Sequence, residues 1–179
     1  MSERDPILAA TAREMARAFD QTFAAARAAG PAPQRDFLTI RVGGDPHAIA
    51  LGDIAELFPR GRLTPLPYAG HECLGLAGLR GTVTPVYDLR VLLGYPPGTG
   101  AARWLARIVG APAALAFDVV VGHLRAPSEA LARLGDTDSA QRHVREILRT
   151  DGVVRPVIDM PSIVETIGRL ARDGVSPGG

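Results

Sequence analysis

The stretch GLAGLRGTVTPVYDLRVLLG, Gly75 to Gly94, decides how the rest of the chain is read. Glycines at 75, 78 and 81 bracket Leu76, Ala77 and Leu79, and one permanent charge, Arg80, stands against the last of them. Val83 to Tyr87 then reads as a strand, Asp88 as the N-cap of a short helix, and Gly94 as its stop. The glycines let the backbone turn tightly, and an arginine held there presents a rigid fork of donors beside apolar surface. Such a residue either pairs with a local carboxylate or meets a partner protein, where arginine is enriched among the residues that carry binding energy. Capping alone accounts for Asp88.

Working outward, the same pattern returns later. TVTPVYDLRVLLG is echoed by VVRPVIDMPSIVETI: strand, proline, strand, aspartate, helix. Before them, FLTIRV alternates with Leu38, Ile40 and Val42 on one face, GGDP turns the chain, and HAIAL returns it as a hairpin. DIAELF predicts a helical turn with Ile54, Leu57 and Phe58 inward and Glu56 outside. Prolines 59, 65 and 67 keep the next stretch from becoming a central strand. CLGLAGL, RWLARIVG and AALAFDVVVGHL read as further strands. APSEALARLGDTDSAQR, residues 126 to 142, reads as a polar loop with a helical turn, and DMPSIVETIGRL as a closing helix. Many short strands with turn signals between them predict two small antiparallel barrels. At the other end, Asp5-Pro6 opens and Gly30-Pro31 closes a weakly amphipathic helix striped by Leu8, Met15, Phe19 and Phe23. A linker over 31–36 follows it.

The chain has 179 residues, enough for one domain or two small subdomains, and is 46% apolar, enough to bury a core. No apolar run is long enough to span a bilayer, which predicts a soluble cytoplasmic protein without membrane insertion. All 20 basic residues are arginine. Without lysine there is no phosphate-binding P-loop, no pyridoxal Schiff base and no kinase-type lysine. The net charge of +1 and the 5% aromatic content argue against a nucleic-acid partner. The one cysteine, Cys73, excludes an intrachain disulfide and any multi-cysteine zinc site. His71 and Cys73 would share a face of a strand, so a thiol–imidazole pair is a candidate for nucleophilic chemistry, against a small buried cysteine beside an exposed histidine. No other catalytic, cofactor or metal motif occurs.

FLTIRVGGDPHAIALGDIAELF, LPYAGHECLGLAGLRGTVTPVYDLRVLLG, LAFDVVVGHL and TDGVVRPVIDMPSIV, taken in order, resemble the CheW family of bacterial chemotaxis coupling proteins. The resemblance runs from about Phe37 to Ile167, and G-x-x-x-L-R-G-x-x-x-P-V-x-D-L-R is its most specific part. It implies a mainly β fold, two SH3-like five-stranded barrels around a shared core, with a short helix after each. The domain would cover 37–167 with a subdomain boundary near 94–103, between a helical extension over 1–30 and a tail over 168–179. It also implies a non-enzymatic adaptor at receptor arrays, bridging the cytoplasmic tip of methyl-accepting chemoreceptors and the regulatory domain of a CheA-type histidine kinase. On matching positions the protein-binding residues are Arg80, Ile54 and Glu56 with the glycines Gly75 and Gly81, while Asp88 and Asp118 are the matching aspartates. The family commonly has asparagine where this chain has Gly78, and the segment from Ala126 to Arg142 has no match. Two other readings compete: a small thiol hydrolase using Cys73 and His71, and a barrel that binds single-stranded nucleic acid.

Overall fold

The computed structural model describes residues 33–67, 70–98, 102–135 and 142–173. Two units are distinguished, residues 1–33 and 34–179, and the fold is that of the second. The helix expected over 1–30 lies outside the described residues.

Among the described residues eleven strands form two sheets. The first sheet runs β8-β1-β2-β11-β10-β9 and the second β3-β6-β7-β5-β4. Their ranges are β1 Gln34–Val42, β2 Asp45–Ala50, β3 Ile54–Pro59, β4 Cys73–Leu79, β5 Thr82–Asp88 and β6 Trp104–Ile108. The rest are β7 Ala114–Phe117, β8 Val119–Pro127, β9 Leu131–Arg133, β10 Val144–Thr150 and β11 Val153–Ile158. Helix α1, Leu89–Leu92, follows β5, and α2, Met160–Asp173, follows β11. The expected helix after each half is therefore present, and α2 continues beyond Gly168 into the segment read as a tail.

The alternating apolar residues explain the layering. Leu38, Ile40 and Val42 of β1 join Leu115 and Phe117 of β7 and Ile163 of α2 in one core shared by the two sheets. On its other face each sheet has a smaller core of its own, around Leu79, Val86 and Leu105 in one and Phe37, Leu148 and Val157 in the other. The chain passes between sheets at the tight 3-10 turn Leu51–Asp53 and again at Asp118, between β7 and β8. Residues 94–103 connect α1 to β6 of the same sheet as β5.

Among the described residues no strand pairing closes either sheet into a barrel. One has six strands with β8 and β9 at its edges, and the other has five with β3 and β4 at its edges. Beside β4 the chain makes a single bridge, Thr64 to Leu76, where a further strand would lie. Pro65 and Pro67 lack the N–H groups a ladder needs, so the pairing stops there.

Two expectations are corrected. DIAELF is not helical beyond Asp53: Ile54–Pro59 is the edge strand β3. Its register shifts between Ile54 and Glu56, and the extra residue places Ile54 and Leu57 against the same core at a spacing that mimics a helix. In the second half, β10 and the short β9 form where the sequence pattern predicts no strand. A similar shift between Val144 and Glu146 breaks the period of two in β10, and β9 has only three residues inside a polar segment. The helical turn expected in that segment is the 3-10 turn Ser128–Ala130.

Candidate protein-interaction site

Strands β4 and β5 pair from Cys73–Tyr87 to Leu79–Thr82, leaving Arg80-Gly81 as a two-residue turn. Both residues have positive φ, 50° at Arg80 and 77° at Gly81. That is a type I′ signature, the turn whose twist matches the strands it joins. Glycine takes this conformation freely, whereas a left-handed arginine costs about 1–2 kcal/mol.

The arginine is held there by Glu56. Arg80 Nε donates to Glu56 Oε1 at 2.6 Å, and its Nη2 also contacts that oxygen. Arg107 lies opposite Glu56 in the β3–β6 register, its Nη2 3.7 Å from Oε2. One carboxylate thus sits between two guanidinium groups and leaves the cluster a net positive charge. Arg80 remains 75% exposed while Glu56 is 22% exposed. The pair steers the fork rather than burying it, and donors not used by Glu56 stay available. Next to the turn, Val83 is 68% exposed and faces Gly78 across the hairpin, so no side chain opposite covers it.

The structure thus brings together Arg80, Glu56 and Gly81 and adds Arg107 and Val83, which the sequence reading did not name. Arg107 joins through cross-strand register, which one strand's sequence does not carry. Gly81 answers the turn alone, since an added Cβ would meet nothing within 4 Å. Gly75 answers an internal need. Its φ is 126°, and a Cβ there would lie 2.3 Å from the Thr64 carbonyl oxygen. Ile54 is half-buried against the shared core, opposite Ile108. Next to it a groove of about 390 Å³ runs between Ile108, Val109, Met160, Pro161 and Val164, with Asp53 and Glu165 also lining it.

The two aspartates hold backbone. Asp88 Oδ1 accepts the Arg90 N–H at 2.9 Å and caps α1, as expected, and burial raises its pKa. Asp118 Oδ2 accepts the Gly43 N–H at 2.9 Å, tying the β1–β2 turn to the crossing between sheets. His71 and Cys73 do not share a strand face: His71 is exposed in the turn before β4, and Cys73 opens β4 half-buried against the shared core. Among the described residues no hydrogen bond links them. The exposed large apolar side chains among the described residues are valines and leucines, which offer bases no stacking platform.

The CheW-like domain profile matches residues 36–168. The chain is 24% identical over 142 residues to the chemotaxis protein CheW of Thermotoga maritima, covering 78% of this chain and 93% of that protein. It is 31% identical over 135 residues to protein FrzA of Myxococcus xanthus, covering 71% and 82%. Its fold is similar to the crystal structure of the scaffolding protein TtCheW from Thermoanaerobacter tengcongensis, with a TM-score of 0.63 and 19% identity over 70% of this chain and 89% of that one.

Proposed function

The chain belongs to the CheW-like family of chemotaxis-type signalling scaffolds, and from that premise we propose that it is a non-enzymatic adaptor coupling methyl-accepting chemoreceptors to a CheA-type histidine kinase. It acts in the cytoplasm at receptor arrays. The observation that carries this reading is the hairpin tip. A left-handed arginine is costly, yet it is kept, aimed by Glu56 and left mostly exposed beside an uncovered valine. Backbone strain kept at an exposed point is a feature of functional sites, and arginine is among the residues that carry most binding energy at an interface centre. Gly75 and Gly81 serve the same surface indirectly, by fixing the strand and the turn that carry Arg80. Ile54 and the adjacent groove present apolar surface of a second kind, suited to the helical tip of a receptor.

Isothermal titration of the purified protein against a receptor tip and, separately, a kinase regulatory domain tests this. Arg80→Glu should weaken binding to at least one of them about tenfold or more, roughly 1.4 kcal/mol, with the melting temperature nearly unchanged. Equal binding by the variant would leave Arg80 with no role beyond its ion pair to Glu56.

A further inference from the structure

At the far end of the β3–β6 pair from Glu56, the ladder continues past Pro59–Trp104 to a pair of arginines. Arg60 N–H donates to the Arg103 carbonyl at 2.8 Å, which sets the two directly opposite each other. Like charges in that position destabilise a sheet unless a carboxylate lies between them. None does. Among the described residues neither Arg60, Arg103 nor the exposed Arg62 forms an ion pair, and Arg60 Nη1 reaches only the Ala102 carbonyl, at 3.3 Å. The carboxylates on neighbouring strands are committed elsewhere: Glu56 to Arg80 and Arg107, and Asp118 to the Gly43 N–H. A shallow depression lies between Arg60, Gly61, Ala102, Arg103 and Trp104, with Trp104 packed against the shared core.

We propose that Arg60 and Arg103 form a docking point for carboxylate side chains of an acidic segment in a partner protein. Two opposed guanidinium forks can each take a carboxylate bidentately, and such a ligand removes the repulsion between them. A compact phosphate fits less well. The backbone N–H groups that would cradle it are spent, Arg60's on Arg103 and Arg103's on the Phe117 carbonyl. An anionic membrane fits less well too, because Trp104 packs against the shared core and two arginines alone give weak attachment. The site is separate from the Arg80 tip and does not rest on the receptor and kinase reading.

The test is fluorescence anisotropy of a labelled glutamate-rich peptide titrated with the full chain at low salt. Saturable binding should weaken as salt rises and fall about tenfold or more in both Arg103→Glu and Arg60→Gln. Arg103→Glu should also raise the melting temperature, because it turns the like-charge pair into an opposite one. Three results would overturn the proposal. They are no saturable binding of the peptide, binding by both variants as tight as by the parent, or binding only to vesicles of phosphatidylglycerol titrated in parallel.

Discussion

The hairpins β4–β5 and β10–β11 are the same backbone built twice. Each has a two-residue turn with positive φ at both positions, Arg80-Gly81 in one and Asp151-Gly152 in the other. Pro85 and Pro156 stand at the same place in the second strand, and Asp88 and Asp159 at its end. Each first strand has its register shift at the equivalent point. Asp88 N–H reaches the Glu72 carbonyl and Asp159 N–H the His143 carbonyl, both at 2.8 Å. Each second strand then pairs in parallel with a strand from elsewhere in the sequence, β5 with β7 and β11 with β2. What differs is the chemistry at the tip. Asp-Gly is the ordinary composition of such a turn, whereas Arg-Gly is not. The first sheet, which carries β10–β11, also places Gly122 and Thr39 beside the β1–β8 register shift, where the second sheet has Glu56 and Arg107 beside that of β3–β6. The comparison separates fold from proposed function: the repeated backbone makes the scaffold, and the unmatched side chains at one tip carry the recognition role we propose.

The largest expected difference between the hairpins is at the register shift. In the first, Gly75 occupies a backbone conformation reserved for glycine and touches Thr64; in the second, Glu146 occupies the equivalent place with ordinary φ and pairs with Arg35 at 2.8 Å. Urea denaturation should therefore show a loss of about 2–4 kcal/mol for Gly75→Ala. Glu146→Ala should lose less than about 1 kcal/mol, as a partly exposed ion pair does. Similar losses would mean that the close approach at Thr64 is not what distinguishes the two strands.

A smaller effect is expected at the tips. Arg80→Asn relieves left-handed strain and forfeits an exposed ion pair, two terms of similar size and opposite sign. Its unfolding free energy should stay within about 1 kcal/mol of the parent, on the more stable side, because asparagine tolerates this conformation. A marked loss of stability would make Arg80 a structural residue.

The smallest is a pH effect confined to the second half. His143 donates to or accepts from Ser162 Oγ at 2.8 Å, and burial lowers its pKa below the ordinary 6.5. Between the lowered value and 6.5 the unfolded chain binds the proton more readily than the folded one. Stability is therefore full above 6.5 and declines as pH falls through that window. His143→Asn should flatten that part of the melting-temperature profile. An unchanged profile would assign the pH dependence to other groups.

Much of this was legible because the repeat is written in the residues that make turns and caps. Gly81, Gly94, the two prolines and the aspartate at Asp88 each have a local meaning that survives without neighbours. Strand β1 was readable for a similar reason: Leu38, Ile40 and Val42 all face the shared core. The register shifts were not readable, since one extra residue in β3 or β10 turns an alternating pattern into a spacing that suggests a helix or nothing at all. Glu56 and Arg80 stand out in the sequence separately, but their pairing does not, because they meet only where β3 pairs with β6 and the tip of the β4–β5 hairpin comes alongside. Arg107 and the opposed arginines at 60 and 103 depend on the same register and went unseen with it.

The central claim is that recognition belongs to one tip and not to its structural twin. The direct test exchanges the charges separately, Arg80→Asp and Asp151→Arg, and measures the affinity of each folded variant for the same kinase regulatory domain and receptor tip. Arg80→Asp should weaken at least one of these about tenfold or more, while Asp151→Arg leaves both within about twofold. Equal losses from the two substitutions, or a loss only from Asp151→Arg, would contradict the account.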